Sequence, residues 1–403
     1  MNELSHARPG RTQDEVRRHN LSVLLRAVHV QGPTSRARLT AATGLNRSTI
    51  GTLAAELAEA GLIREETLGE RHGAGRPSLV VTPERERVYV LALDIGVDRV
   101  VAARVGLGGQ ILDRRQFGLS TQDYEPVKLL RRAATATRAL SQTTPGRSLL
   151  VGVGIAVPAI VRRDDGLVRL APNLGWVDVP LADLVAKHVA ATVPISVGND
   201  ADLGALAEHV RGGAADVQDL IYLSGEVGLG GGIITGGQAM SGVSGYAGEV
   251  GHMVINPGGR PCHCGGRGCL ETEVGEDAVR AATGHPADAS FGDVVAAAAR
   301  GEAATLAGLR EVGRVLGLGV TNMVNIFNPA VVIFGGQMQH LLPYVEHELR
   351  EALASGLRPS SDGVRLIAPG LGDDSTLLGA AERAFEGLLD DPIGRLSALR
   401  AGA

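Results

Sequence analysis

The amino-acid sequence predicts an α/β protein in two parts, a small helical head (residues 1–87) and a larger, two-lobed sheet domain (residues 88–403). Three observations carry this prediction. Positive charge gathers at one end: residues 1–90 hold 13 Arg against 10 acids, whereas residues 91–403 hold 26 basic against 34 acidic residues. Apolar runs of strand length recur beyond residue 88, end in Gly, Asp or Asn, and form the same pattern twice. Glycine supplies 56 of 403 residues, well above an average of about 7%, which implies many tight turns and backbone-lined sites.

A chain with 44% hydrophobic and 21% charged residues has apolar surface enough to form a core, so wholesale disorder is excluded. The first twenty residues are polar and lack an apolar stretch, so no signal peptide is expected. The apolar run 316–336 is broken by Asn322, Asn325, Asn328 and Pro329, so no membrane span or membrane partner is expected. A cytoplasmic protein follows. Its net charge of −5 taken whole disfavours nucleic acid. Within residues 1–50, however, eight Arg face three acids, the footprint of local phosphate contact.

The head reads as three helices and a hairpin. Val16, Asn20, Val23, Leu24 and Ala27 recur at helical spacing and predict a first helix from Asp14 to His29. Gly32-Pro33 breaks it, and Thr34 or Ser35 can cap a short second helix, Arg36 to Ala42. Gly44 suits the left-handed residue of a tight turn. A third helix runs from Asn46 to Ala60, with Ile50, Leu53, Ala54 and Leu57 inward. Its opening residues Asn46, Arg47, Ser48, Thr49 and Thr52, together with Arg36, are of the types that reach bases and phosphates from a recognition helix. Strands at Leu62–Arg64 and Leu79–Val81 form a wing whose tip, Gly73 to Pro77, offers Arg76 to a minor groove. The head is thus predicted as a winged helix-turn-helix that binds DNA; a three-helix bundle for protein contacts is the plainer alternative.

In the body, strands at Val88–Gly96, Val100–Val105, Ile111–Phe117, Leu149–Val157 and Ile195–Val197 lead to Asn199-Asp200. Ile221–Leu223, Ile233-Ile234 and Val331–Phe334 repeat the pattern, with Gly225–Gly232 and Gly335-Gly336 as turns. A duplicated, two-lobed sheet domain with a cleft at the strand ends follows. All three cysteines fall in His252-x9-Cys262-x-Cys264-x4-Cys269. Three thiolates and one imidazole match a closed, tetrahedral structural zinc site; His263, between two cysteines, is the competing imidazole.

These residues carry a resemblance. Glu249-Val250-Gly251-His252, the three-cysteine knuckle with Glu271, Asn173-Leu174-Gly175-Trp176 and Asn199-Asp200 together resemble the ROK family of sugar kinases and sugar-responsive repressors. The resemblance spans essentially the whole chain, since the transcriptional regulator branch places a winged helix-turn-helix before an actin-like, sugar-kinase-like (duplicated ribonuclease H-like) domain. It implies that Asn199, Asp200, Glu249, His252 and Glu271 hold sugar hydroxyls, with zinc orienting His252. It also implies that Asp200 matches the kinases' catalytic base. Helix capping by Asp200 and a solvated-face role for Glu249 and Glu271 are the structural alternatives.

The phosphate loops depart from the kinase pattern. Asp94-Ile95-Gly96-Val97-Asp98 stands where kinases of the family carry Asp-x-Gly-Gly-Thr, and Glu226-Val227-Gly228-Leu229-Gly230 where they carry Gly-Thr-Gly-x-Gly. Asp98 and Glu226 add negative charge where phosphates would lie. The expectation is a transcriptional repressor of carbohydrate-use genes, released from operator DNA by a sugar effector, acting as a homodimer or homotetramer without kinase activity. The alternative is an ATP-dependent hexose kinase with an accessory DNA-binding head.

Overall fold

In the computed structural model the described residues are 12–67, 79–144, 146, 148–189 and 192–401. The head opens with helix α1 (Gln13–Gln31), whose N-terminus is closed by a capping box: Glu15 N–H donates to Thr12 Oγ1 and the Glu15 carboxylate accepts from Thr12 N–H. Its buried stripe is Leu21, Leu24, Leu25, Val28 and His29. Val16, expected on that stripe, is 42% exposed and belongs to the outer face of α1.

Strand β1 (Thr34–Ser35) leads into α2 (Arg36–Thr43), capped by Ser35, and α3 (Arg47–Ala60) follows. Gly44 lies between these helices at φ 70° and ψ 1°, the left-handed conformation a side chain disfavours. This is a helix-turn-helix. Strands β2 (Ile63–Thr67) and β3 (Leu79–Pro83) pair antiparallel, and β1 adds to β3 to complete a three-stranded sheet.

The first lobe is built on β4 (Val88–Ile95), β5 (Arg99–Gly106) and β6 (Ile111–Gly118), an antiparallel meander. Helix α4 (Pro126–Gln142) crosses to β7 (Leu149–Val157), which lies parallel to β4. A small antiparallel sheet of β8 (Ile160–Arg162), β9 (Leu167–Ala171) and β10 (Trp176–Pro180) precedes α5 (Leu181–Val189) and β11 (Ile195–Asn199). Helix α6 (Asp200–Val210) then carries the chain to the second lobe.

That lobe repeats the plan. Strands β12 (Leu220–Gly225), β13 (Leu229–Thr235) and β14 (Gln238–Ala239) form the meander. Helices α7 (Leu270–Val274), α8 (Glu276–Thr283), α9 (Phe291–Ala299) and α10 (Ala303–Phe327) precede β15 (Val331–Gly336), which lies parallel to β12. After α11 (Met338–Ser355) and α12 (Arg358–Ser361), β16 (Arg365–Ile367) pairs with β15. The two five-stranded orders, β11-β7-β4-β5-β6 and β14-β13-β12-β15-β16, are one topology used twice, as the duplicated pattern predicts.

Helix α13 (Ser375–Asp390) returns to the first lobe, and α14 (Pro392–Ala401) follows it to the head. Glycine permits these close packings: a Cβ on Gly154 of β7 would lie 1.8 Å from Ala380 O, and one on Gly379 would lie 1.8 Å from Leu203 O. The core of the head is continuous with that of the first lobe, joining Leu24, Leu25 and Val28 to Phe385, Leu388, Leu389 and Leu396. Among the described residues no helix is long and apolar enough to cross a membrane.

Candidate functional site

The site lies where β11 meets α6, at the carboxyl end of a parallel strand, the usual ligand position in α/β folds. Asn199 caps α6: its Oδ1 accepts from Ala201 N–H (2.8 Å) and Asp202 N–H (3.1 Å), while Nδ2 donates to Ala159 O (3.2 Å). The capping alternative for Asp200 therefore falls to its neighbour, and the Asp200 carboxylate borders the cavity. That cavity, about 130 Å³, brings together Asn199, Asp200, Glu249, His252 and Glu271, the five residues for which the family resemblance implies sugar contacts. Asn173 and His263 also line it.

The His-Cys cluster forms one wall. His252, Cys262, Cys264 and Cys269 offer ligand atoms that all lie within 4.8 Å of one another, an arrangement able to hold a metal ion. His252 Nδ1 is 3.6 Å from Cys262 Sγ, and Cys264 Sγ is 3.8 Å from Cys269 Sγ. The imidazole that joins the cysteines is thus His252, while His263 turns to the cavity. The other His252 nitrogen, Nε2, lies 3.8 Å from Glu249 Oε2. Glu271 belongs to both features, since its carboxylate accepts from Cys262 Sγ (2.7 Å) and lies 3.3 Å from His252 Nδ1. Burial raises the Glu249 carboxyl above its ordinary value, with His252 opposing and Asp200 and Glu271 adding to the rise.

Beyond Asp200 the cavity adjoins a cleft of about 960 Å³ lined by Asp94, Asp98, Arg99, Glu226, Gln337 and Asp374 among others. Carboxylates crowd its inner end. Burial, then the charge of Asp200, pushes Asp94 up to about 7. Burial, then Asp94 and Asp200, pushes Glu226 up to about 8. Arg99 stands among them, 3.5 Å from Asp98 Oδ1 and 4.0 Å from Glu226 Oε1.

At the other end of the molecule, Arg47, Ser48 and Thr52 of α3 are exposed. Asn46 is the α3 cap, its Oδ1 accepting from Thr49 N–H (2.8 Å) and Ser48 Oγ (2.7 Å). Arg36 holds Glu65 of β2 with two N–H groups, Nε at 2.7 Å, so its guanidinium ties helix to sheet instead of standing free. Arg76 and the tip 73–77 lie outside the described residues.

Residues 90–386 match the ROK family. The chain belongs to the ROK family. A xylose repressor from Bacillus spizizenii is 31% identical over 382 residues, covering 94% of this chain and 98% of that protein. The crystal structure of a ROK family transcriptional regulator, a homologue of the E. coli Mlc protein, superposes with a TM-score of 0.76 at 26% identity, covering 96% of this chain and all of that one. A ROK family glucokinase from Streptomyces griseus, solved with glucose and AMPPNP, matches 74% of this chain and all of its own, with a TM-score of 0.66 at 27% identity. Similarity to the regulators thus extends over the head, whereas the whole kinase corresponds to about three quarters of this ROK protein.

Sequence reasoning missed Asp202, which lies beside this pocket and is pushed up to about 7 by burial and then by Glu249. It also missed the structural duty of Arg36. The first was signalled by its place in the opening turn of α6; the second had no local signal, because Glu65 is 29 residues away.

Proposed function

We propose that this protein is a sugar-responsive transcriptional repressor, with operator DNA bound by the head and a small sugar bound between the lobes. The observation that carries this reading is the presence, in one chain, of an exposed polar opening turn on α3 and a cavity that gathers the carboxylates of Asp200, Glu249 and Glu271 with the Asn199 amide and the His252 imidazole, beside Asn173, Glu226 and His263. Carboxylates accept from sugar hydroxyls, and the remaining Asn199 N–H can donate to one. Arg47, Ser48 and Thr52 offer phosphate and base-edge contacts, and Arg76 supports a wing contact. The xylose repressors among its relatives make D-xylose the first effector to test.

Zinc fits the knuckle. Tetrahedral coordination with Zn–S near 2.3 Å and Zn–N near 2.0–2.1 Å requires S···S of about 3.8 Å and S···N of about 3.6 Å, the spacings found for Cys264–Cys269 and Cys262–His252. With four protein ligands the ion's role is structural. Bound zinc would lock the His252 ring, leaving Nε2 directed toward Glu249 and the sugar.

The kinase reading has Asp200 in its favour, a carboxylate beside the cavity suited to accept a hydroxyl proton. Against it stand Asp98 and Glu226, acidic side chains where kinases of the family carry Thr and Gly in their phosphate loops, and where a kinase needs N–H groups and cations. This reading expects no phosphorylation. The test is affinity for a DNA duplex selected by the protein from a random library, measured with and without D-xylose, beside an assay for ATP-dependent phosphorylation of xylose and glucose. Weaker DNA binding with sugar and no turnover is the expected result. Turnover abolished by Asp200→Asn would establish the kinase instead.

A further inference from the structure

His29 lies on the DNA-binding side of the molecule but belongs to no DNA-facing surface. It is near the end of α1 and wholly buried, at 0% exposure. Gly108 N–H, in the β5–β6 turn, donates to its Nδ1 (2.9 Å). Nε2 faces both carboxylate oxygens of Glu382 at 3.0 and 3.2 Å and Arg211 Nη2 at 2.9 Å. Arg211 reaches the same carboxylate, with Nε 2.8 Å from Oε1, and its Nη1 donates to Gly108 O (3.1 Å). The Phe385 ring closes the cluster edge-on, its centroid 5.0 Å from that of His29. Burial raises the Glu382 carboxyl, but His29 and Arg211 outweigh it and hold the group below its ordinary value.

The three side chains come from three helices, α1 of the head and α13 and α6 of the body, the latter two packed together at Gly379 and Leu203. His29 belongs to the head. Glu382 is on α13, whose backbone is wedged against β7 of the first lobe through Gly154 and Ala380. Arg211 is the C-terminal cap residue of α6, the helix that links the lobes and packs on the second through Gly232, where an added Cβ would lie 2.3 Å from Ala201 O. The other end of α6 is the sugar site: Asn199 caps it and Asp200 opens it. Eleven residues of helix span about 16 Å at 1.5 Å per residue. A sugar gripped by Asn199 and Asp200 on one side and Glu249 on the other therefore pulls on a short rod whose far end holds the head.

The apolar core shared by head and lobe can slide by small adjustments, because burial of apolar area is non-directional. A buried carboxylate shared by imidazole and guanidinium cannot. Its hydrogen bonds are directional and have no water to replace them, so a tilt of α6 against α13 must break or exchange one. Such an element has discrete arrangements, as transmission between sites requires.

The geometry points to the Arg211–Glu382–His29 cluster as the coupling that carries occupancy of the sugar pocket to the DNA-binding head. This rests on the sugar-responsive reading. The test compares the full-length wild type with Glu382→Gln, and with a double variant, Arg211→Met/Glu382→Leu, which replaces the ion pair by apolar bulk of similar size. Three quantities are measured: D-xylose affinity, affinity for the library-selected duplex with and without saturating D-xylose, and amide hydrogen exchange across residues 26–31.

D-xylose is expected to weaken wild-type DNA binding at least about tenfold, within the usual range of allosteric coupling, and to change exchange at the end of α1. In both variants the sugar and sugar-free DNA affinities stay within about threefold of wild type, while the sugar-dependent ratio falls to about one. A wild-type ratio retained in either variant overturns the inference and leaves the functional reading standing. So does a wild type whose DNA affinity responds while exchange across 26–31 does not, a result that needs no variant to fold. Wild-type DNA binding indifferent to bound D-xylose and to other aldoses overturns the functional reading and the coupling with it.

Discussion

Glu226 carries a carboxyl whose protonation is set by the fold. The Glu226 N–H is occupied by Gly228 O (3.1 Å), and the side chain adds a carboxylate beside Asp94 and Asp200. Folding keeps this carboxyl protonated up to about 8, whereas in the unfolded chain it ionises near about 4.3. The folded state therefore binds the extra proton between those values, and stability falls as pH rises through that window. Glu226→Gln is expected to stabilise the fold at pH 8 by roughly 1 kcal/mol, a modest gain because solvent screens a partly exposed side chain. The gain shrinks toward pH 5, and thermal melts at the two pH values measure it. An equal gain at both would trace the effect to packing instead of charge.

The His-Cys knuckle and the helix-turn-helix were legible as elements because short-range spacing dictates them. Three cysteines within eight positions can converge only around something small, and Gly44 between two amphipathic segments permits the left-handed turn found there. The choice between His252 and His263 was less accessible. It depends on the bridge that pairs Val254 with Cys269, which brings residue 252 back over the cysteines. The knuckle also shapes the pocket, since His252 and Glu271 serve both. One zinc per chain is expected by elemental analysis of the wild type and none in Cys264→Ser. In that variant D-xylose affinity should fall roughly tenfold or more, as for lost support of a positioned histidine. Unchanged sugar affinity in a zinc-free variant would show that the pocket holds His252 without the ion.

At the scale of the molecule, one chain presents one α3. Specific operators are commonly read by two such helices about 34 Å apart, so self-association is part of the proposed function. Duplexes selected by the protein are expected to contain two inverted half-sites with that spacing, and sedimentation should give a dimer or tetramer. Replacing Arg47 by Ala should weaken binding to every selected duplex and flatten the salt dependence by about one unit of log–log slope if it contacts one phosphate. A loss confined to one base position would assign Arg47 to base reading instead.

The sequence by itself determined the parts: a basic head on an acidic body, a duplicated strand pattern, and a knuckle of one histidine and three cysteines; the family resemblance added the five polar residues that the fold gathers into one cavity. Each rests on local spacing or on residue types whose chemistry admits few uses. Tertiary structure alone decided that Asn199 and not Asp200 caps α6, and that Arg36 is held by Glu65. It alone decided that Val16 lies outside the core. It also brought His29, Arg211 and Glu382 together from positions up to 353 residues apart, a meeting without any signal in the chain, because a buried ion pair depends on which helix ends converge.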